Sequence, residues 1–225
     1  MLRTFLFLFL FGTRVFSQVS KDSVSIDPKY LEDQLYIGVT YNIFANTPDG
    51  FVKDGFAYGF SGGFIKDIPF NERRNIGMGV GLGYAFNTHI QNIVVTTNAL
   101  NLNQANTNQS TYTIKTNSLE FPIEFRWRTS TLKKYKFWRI YTGLHFSYVL
   151  NSSSIGERND ELIQFTEVLQ LEEWQYAYSL AAGYGTWNFY LHYTLNPFFK
   201  GSSSFDDGEV LKMNSFKMGL IFYLL

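Results

Sequence analysis

The chain has 225 residues, a formal net charge of zero and no cysteine, which excludes a disulfide framework, a thiolate metal site and a cysteine nucleophile. Without a basic surplus, a nucleic-acid partner held by phosphate neutralisation is excluded as well. Aromatic residues make up 19% and charged residues only 17%, a balance shifted away from soluble domains, in which about a quarter of residues are charged.

Residues 1–17 have the layout of an export signal. Arg3 gives a positive start, Phe5 to Phe11 an apolar core, and Val15 and Ser17 the small residues before a cleavage point. That apolar run is far short of the roughly 20 residues of a membrane-spanning helix. Loss of Arg3 and Arg14 takes the formal charge from zero to −2. Residues 18–33 form a polar lead, and from residue 34 to 225 the pattern changes to alternation with a period of two, the period of a β-strand.

In the first strand Leu35, Ile37, Val39, Tyr41 and Ile43 alternate with Tyr36, Gly38, Thr40 and Asn42. Asn46, Pro48, Asp49 and Gly50 close it as turn formers. The second sets Phe56, Tyr58, Phe60 and Phe64 against Ala57, Gly59, Ser61 and Gly63, and Asp67, Pro69, Asn71, Glu72, Arg73 and Arg74 read as the next turn. The third, IGMGVGLGYAFN, puts Ile76, Met78, Val80, Leu82, Tyr84 and Phe86 on one face and Gly77, Gly79, Gly81, Gly83, Ala85 and Asn87 on the other. Four glycines on one strand face predict close approach by other groups, with Arg139, Tyr141 and Tyr190 as the expected neighbours.

Thr88 to Ser118 reads as a long Asn- and Thr-rich loop with strand extensions at Ile93 to Val95 and Tyr112 to Ile114. In the fourth strand Leu119, Phe121, Ile123, Phe125 and Trp127 oppose Glu120, Pro122, Glu124, Arg126 and Arg128. After a turn over Thr129 to Tyr135, the fifth sets Trp138, Ile140, Leu144, Phe146, Tyr148 and Leu150 opposite Arg139, Tyr141, Gly143, His145 and Ser147. Asn151 to Glu173 is a second long loop, with a short helix expected in ERNDELIQFTEVLQLEE. The sixth and seventh strands, centred on Tyr178 and Leu191, meet at a tight turn of Gly185 and Thr186. Pro197 to Gly208 loops out, and the eighth carries Phe216, Met218, Leu220, Phe222 and Leu224 opposite Lys217, Gly219 and Ile221.

The apolar faces so assigned carry no Asp, Glu, Lys or Arg, while the opposite faces hold Glu120, Glu124, Arg126, Arg128, Arg139 and Lys217. A lipid-facing Arg or Lys costs about 2–4 kcal/mol at the bilayer midplane, which accounts for clearing one face only. A soluble barrel needs the reverse, apolar side chains inside. The expected fold is therefore all-β, an eight-stranded antiparallel up-and-down transmembrane β-barrel. Its neighbours are outer-membrane lipid and the β-barrel assembly machinery, and its lumen is plugged by side chains. An even strand count puts both termini on one side, periplasmic by the rule of short inner turns and long outer loops. The segment Lys217, Gly219, Phe222 and Leu224 resembles the terminal assembly signal of such barrels.

The inward charges are expected to form a buried network in which Glu124, Arg126 and Arg139 bridge the fourth and fifth strands, neutralising one another. The glycine run is no dinucleotide loop, since its spacing is wrong and no helix follows. Glu120 and Glu124 are four strand residues apart, about 13 Å at ~3.3 Å each, too far for a glycosidase dyad. His145 and His192 point inward on non-neighbouring strands and His89 sits in a loop, so neither a metal nor a cofactor site is expected. His145 with Ser147 and His192 with Ser179 are formal candidates for a lipid-modifying hydrolase, without a recognisable motif, and no enzymatic activity is expected.

The stretches DQLYIGVTYNIF, FIKDIP, GMGVGLGYAFN, SLEFPIEFRWRTST, YKFWRIYTG and MGLIFYLL resemble the PorT/SprT family of outer-membrane barrels from about Tyr30 onward. The resemblance implies a Bacteroidota outer membrane and a part in type IX protein secretion and gliding motility, with translocon proteins as partners. It implies no catalytic residues.

Overall fold

The computed structural model describes residues 33–49, 51, 55–95, 100–102, 112–129, 137–158, 161–165, 167–168, 170–201 and 211–224. The expected export signal over 1–17, nearly all of the lead over 18–33, most of the Thr129 to Tyr135 turn and Leu225 lie outside the described residues.

Eleven strands form among the described residues: β1 (Asp33–Ala45), β2 (Tyr58–Pro69), β3 (Ile76–Gln91), β4 (Ile93–Val95), β5 (Leu100–Leu102), β6 (Tyr112–Arg128), β7 (Trp138–Arg158), β8 (Glu161–Phe165), β9 (Trp174–Tyr184), β10 (Trp187–Thr194) and β11 (Asn214–Leu224). Eight of them close a barrel in the order β6-β3-β2-β1-β11-β10-β9-β7, with β7 pairing back onto β6 and every pair antiparallel. Closure gives each backbone N–H and C=O a neighbour, the condition for strands to cross a bilayer.

Alternation sorts the side chains as the sequence predicts. Leu82 and Phe189 are 53% and 77% exposed on the outside, whereas Arg126 is 0% exposed in the lumen. So much exposed apolar surface, continuous around the barrel, is stable only against lipid. Near the short turns the outer face carries Trp127, Trp138, Tyr184, Trp187 and Phe222; toward the other end it carries Tyr41, Tyr58, Tyr84, Tyr148, Trp174 and Tyr176. These match the two aromatic girdles that flank the apolar band of a membrane barrel. One charge breaks the expected clean face: Lys66 is exposed on β2, paired in register with Asp33 at the first residue of β1.

The shorter connections between the eight barrel strands lie at one end. They are Phe70–Asn75, residues 129–137 and the Gly185–Thr186 turn, where Gly185 has a φ of 60°. Asp33 and Leu224 lie at this same end. Asp67 and Pro69, expected in a turn, are in β2, and Asp67 is buried in the lumen.

At the opposite end the strands run further than the alternation predicts. Thr88–Gln91 continues β3 and pairs with residues 112–115, where the extension expected at Tyr112 to Ile114 forms and runs on through Ser118 as part of β6; the extension expected at Ile93 to Val95 forms as β4. The region expected to hold a helix instead extends β7 to Arg158 and adds β8 as its hairpin partner; no helix occurs among the described residues. A bulge at Leu150 makes this possible, because Ser118 pairs with Val149 but Asn117 with Asn151. The extra residue switches the inward set from Arg139, Tyr141, His145 and Ser147 to Ser152, Ser154 and Gly156.

Phe198 and Phe199, expected to loop out, turn inward. With Ile114, Val168, Leu171, Leu211 and Met213 they form a buried apolar cluster against Phe44 and Phe51. Backbone bonds knit it, from Phe198 N–H to Met213 C=O at 2.7 Å, Glu172 N–H to Phe198 C=O at 3.0 Å and Lys200 N–H to Gln170 C=O at 2.7 Å. His89 is not in a loop: it lies on β3 beneath this cap, 2.8 Å from Ser215 Oγ and stacked on Phe44 at 4.7 Å.

Candidate functional site

The lumen gathers the chain's buried charges. Gly79 is bare where Arg126 passes, Gly81 where Ile65 and Pro122 pack, and Gly83 where the Tyr36 ring lies. The glycine run therefore admits Arg126, Ile65 and Tyr36, not the expected Arg139, Tyr141 and Tyr190. Tyr190 comes from β10, directly across the barrel, while Arg139 and Tyr141 come from β7, two strands away beyond β6.

Glu124 and Arg126, two apart on β6, form the central ion pair: Arg126 donates from Nε at 3.0 Å and Nη2 at 2.9 Å to Glu124 Oε2. Its Nη1 donates to Gln34 Oε1 on β1 at 3.0 Å. Arg128 donates from Nε to Arg74 C=O at 2.6 Å and pairs with Asp67 on β2. Arg139 departs from expectation. It stands opposite Arg128 in the β6–β7 register and makes no ion pair within the described residues. It stacks instead on Phe137, with Cζ 4.7 Å from the ring centroid. The network thus crosses the lumen to β1 and β2, because the barrel is narrow enough for an arginine to reach the far wall.

Further toward the cap, Lys217 Nζ lies 4.0 Å from Glu120 Oε1, joining β11 to β6. Beside them a cavity of about 10 Å³, lined by Thr40, Asn87, Tyr190 and His192 among others, has room for about one water. His145 and His192, on strands separated by β9, meet across it with ring centroids 5.5 Å apart. His145 Nε2 is 3.8 Å from Glu124 Oε1. Neither imidazole hydrogen-bonds to a described residue, so Ser147 and Ser179 are not held to a base. Among the described residues, no three His, Asp or Glu side chains converge as metal ligands.

In the terminal segment Lys217 and Gly219 face the lumen, whereas Phe222 packs outside on Trp187 at 5.3 Å and Leu224 faces outward opposite Leu35. Asp67, Gln34 and the cap phenylalanines escaped the sequence reading. FIKDIP offered one signal, since Ile65 and Asp67 continue the inward parity of Ser61 and Gly63. Chemically, the arrangement is a polar plug whose described charges are paired except at Arg139, sealed at one mouth by apolar side chains.

Residues 16–200 match a family model described as outer membrane protein beta-barrel domain. No curated protein matches the chain.

Proposed function

This chain belongs to the family of outer membrane protein beta-barrel domains, and from that premise we propose that it is a non-enzymatic accessory barrel of type IX protein secretion and gliding motility. It acts by contact with translocon proteins of the PorT/SprT-associated apparatus. In this reading both termini and the short turns face the periplasm, as barrels with short inner turns do, and assembly proceeds through the β-barrel assembly machinery.

The observation that carries the proposal is the blocked lumen. Arg126, Tyr141, Tyr190 and Tyr223 fill the axis, and the Phe198 and Phe199 cluster closes one mouth. Such a barrel conducts no polypeptide, so any part in secretion runs through its surfaces. Deleting the gene and following type IX cargo in the medium tests this. Cargo is expected to accumulate in the periplasm, and normal secretion would overturn the reading.

A second reading, anchoring or adhesion, is favoured by the sheet of β6, β7 and β8 that extends past the capped mouth. Removing β8 should then weaken surface attachment and leave secretion unchanged.

A further inference from the structure

The short-turn end of the lumen holds three guanidinium groups, Arg126, Arg128 and Arg139, against two described carboxylates, Glu124 and Asp67. Glu124 is taken by Arg126, and Asp67 pairs with Arg128 through Oδ2, its Oδ1 having no hydrogen-bond partner among the described residues. Arg139 is 4% exposed and, among the described residues, has no ion pair and no hydrogen-bond partner for its Nε. Opposite it, Arg128 Nη2 also has no hydrogen-bond partner among the described residues.

Two tyrosines lie against these guanidinium groups. Tyr141 and Tyr223 sit edge to face at 5.1 Å, both buried, both with hydroxyls that bond to nothing described. Arg126 Cζ is 4.5 and 5.4 Å from their ring centroids, and Arg139 Cζ 5.8 and 5.6 Å. The ring faces attract the cations but accept few of their N–H donors. A buried guanidinium beside two others and lacking a counter-ion is strongly unfavourable.

We propose that this end of the lumen binds a small oxyanion of the phosphate or sulfate class, held by Arg139 Nε, the free Nη2 of Arg128 and the hydroxyls of Tyr141 and Tyr223. All four groups donate, and the arginine fork suits a tetrahedral oxyanion. Tight packing limits the ligand to a small ion, and the apolar cap directs its entry through the short-turn end. Lys217 is excluded as a ligand because Glu120 already pairs with it higher in the lumen.

The full chain, folded in detergent micelles in a bulky sulfonate buffer, is titrated with sodium phosphate or sulfate while tryptophan fluorescence follows thermal unfolding. A ligand that binds only the folded state raises the midpoint saturably. We expect a rise of several degrees, absent with sodium chloride at matched ionic strength. Arg139→Gln should lose that response and, without phosphate, unfold at a higher temperature than the parent. Tyr223→Phe should raise the half-saturating phosphate concentration at least threefold, and it decides the matter if Arg139→Gln does not fold. No saturable response in the parent, or an undiminished response in the foldable variants, overturns the site.

Discussion

The hydroxyl of Tyr36 on β1 occupies the space where a Cβ on Gly83 of β3 would stand, two strands away across β2. The ring carbon behind it would lie 2.9 Å from that Cβ, and Gly62 C=O 3.1 Å. Glycine at 83 is thus a condition for tyrosine at 36. Gly83→Ala is expected to destabilise the barrel by about 1–3 kcal/mol, the usual range for overpacking. In a Tyr36→Ala background that cost should disappear. Urea unfolding of the four variants in lipid vesicles gives the coupling directly; independent, additive effects would contradict the contact.

Glu124 accepts both Arg126 bonds in a site closed to water. Removing one partner leaves a buried charge, so Glu124→Gln should cost about 3–5 kcal/mol. Pairing it with Arg126→Met should recover most of the loss. The same unfolding assay checks this, and a double variant as unstable as Glu124→Gln would show that Arg126 contributes mainly through packing.

On the outer face Leu144 lies on β7 between Trp138 and Tyr148 of the two aromatic girdles, paired in register with Ile123 and Tyr178, whereas Lys66 already places a charge on β2 in register with Asp33 and Val80. Leu144→Arg is therefore expected to cost about 2–4 kcal/mol, and Lys66→Arg almost nothing. Spin labels at Met78 and Phe121 should be relaxed by oxygen more than by a water-soluble nickel chelate. The opposite order would turn the barrel inside out.

The cap should fail locally. Phe198 is 1% exposed and touches Phe44, His89 and Phe199. Phe198→Ala is expected to destabilise the cap by about 3–5 kcal/mol. The readout is faster protease cleavage near residues 167–173 and 195–201, with the barrel strands themselves left uncut. Unchanged cleavage would mean that the cluster does not hold those segments down.

The stretch 119–128 shows how far a sequence carries. Its alternation of Phe121, Ile123 and Phe125 with Glu120, Glu124 and Arg126 fixes a strand, its lipid face and its lumen face, because neighbouring side chains must point to opposite sides of a pleat. The same rule placed all eight barrel strands. It failed at Asp67, where a turn-forming residue type outweighed a parity that was visible. It failed again at Asn151–Arg158, where polar residues extend a strand that no longer touches lipid and so carries no apolar signal.

Periodicity along the chain therefore determined the faces, the strand number and the closed barrel, since a membrane charges heavily for every unpaired backbone group and every outward charge. Only the tertiary structure decided which lumen groups meet. Arg126 reaches Gln34 across the lumen while Arg139 stacks on Phe137 outside the expected ion network, His145 faces His192, and Phe198 folds over the mouth. Those contacts depend on shear, on one bulged residue at Leu150 and on the width of the lumen, and none of these is written in the spacing along a single strand.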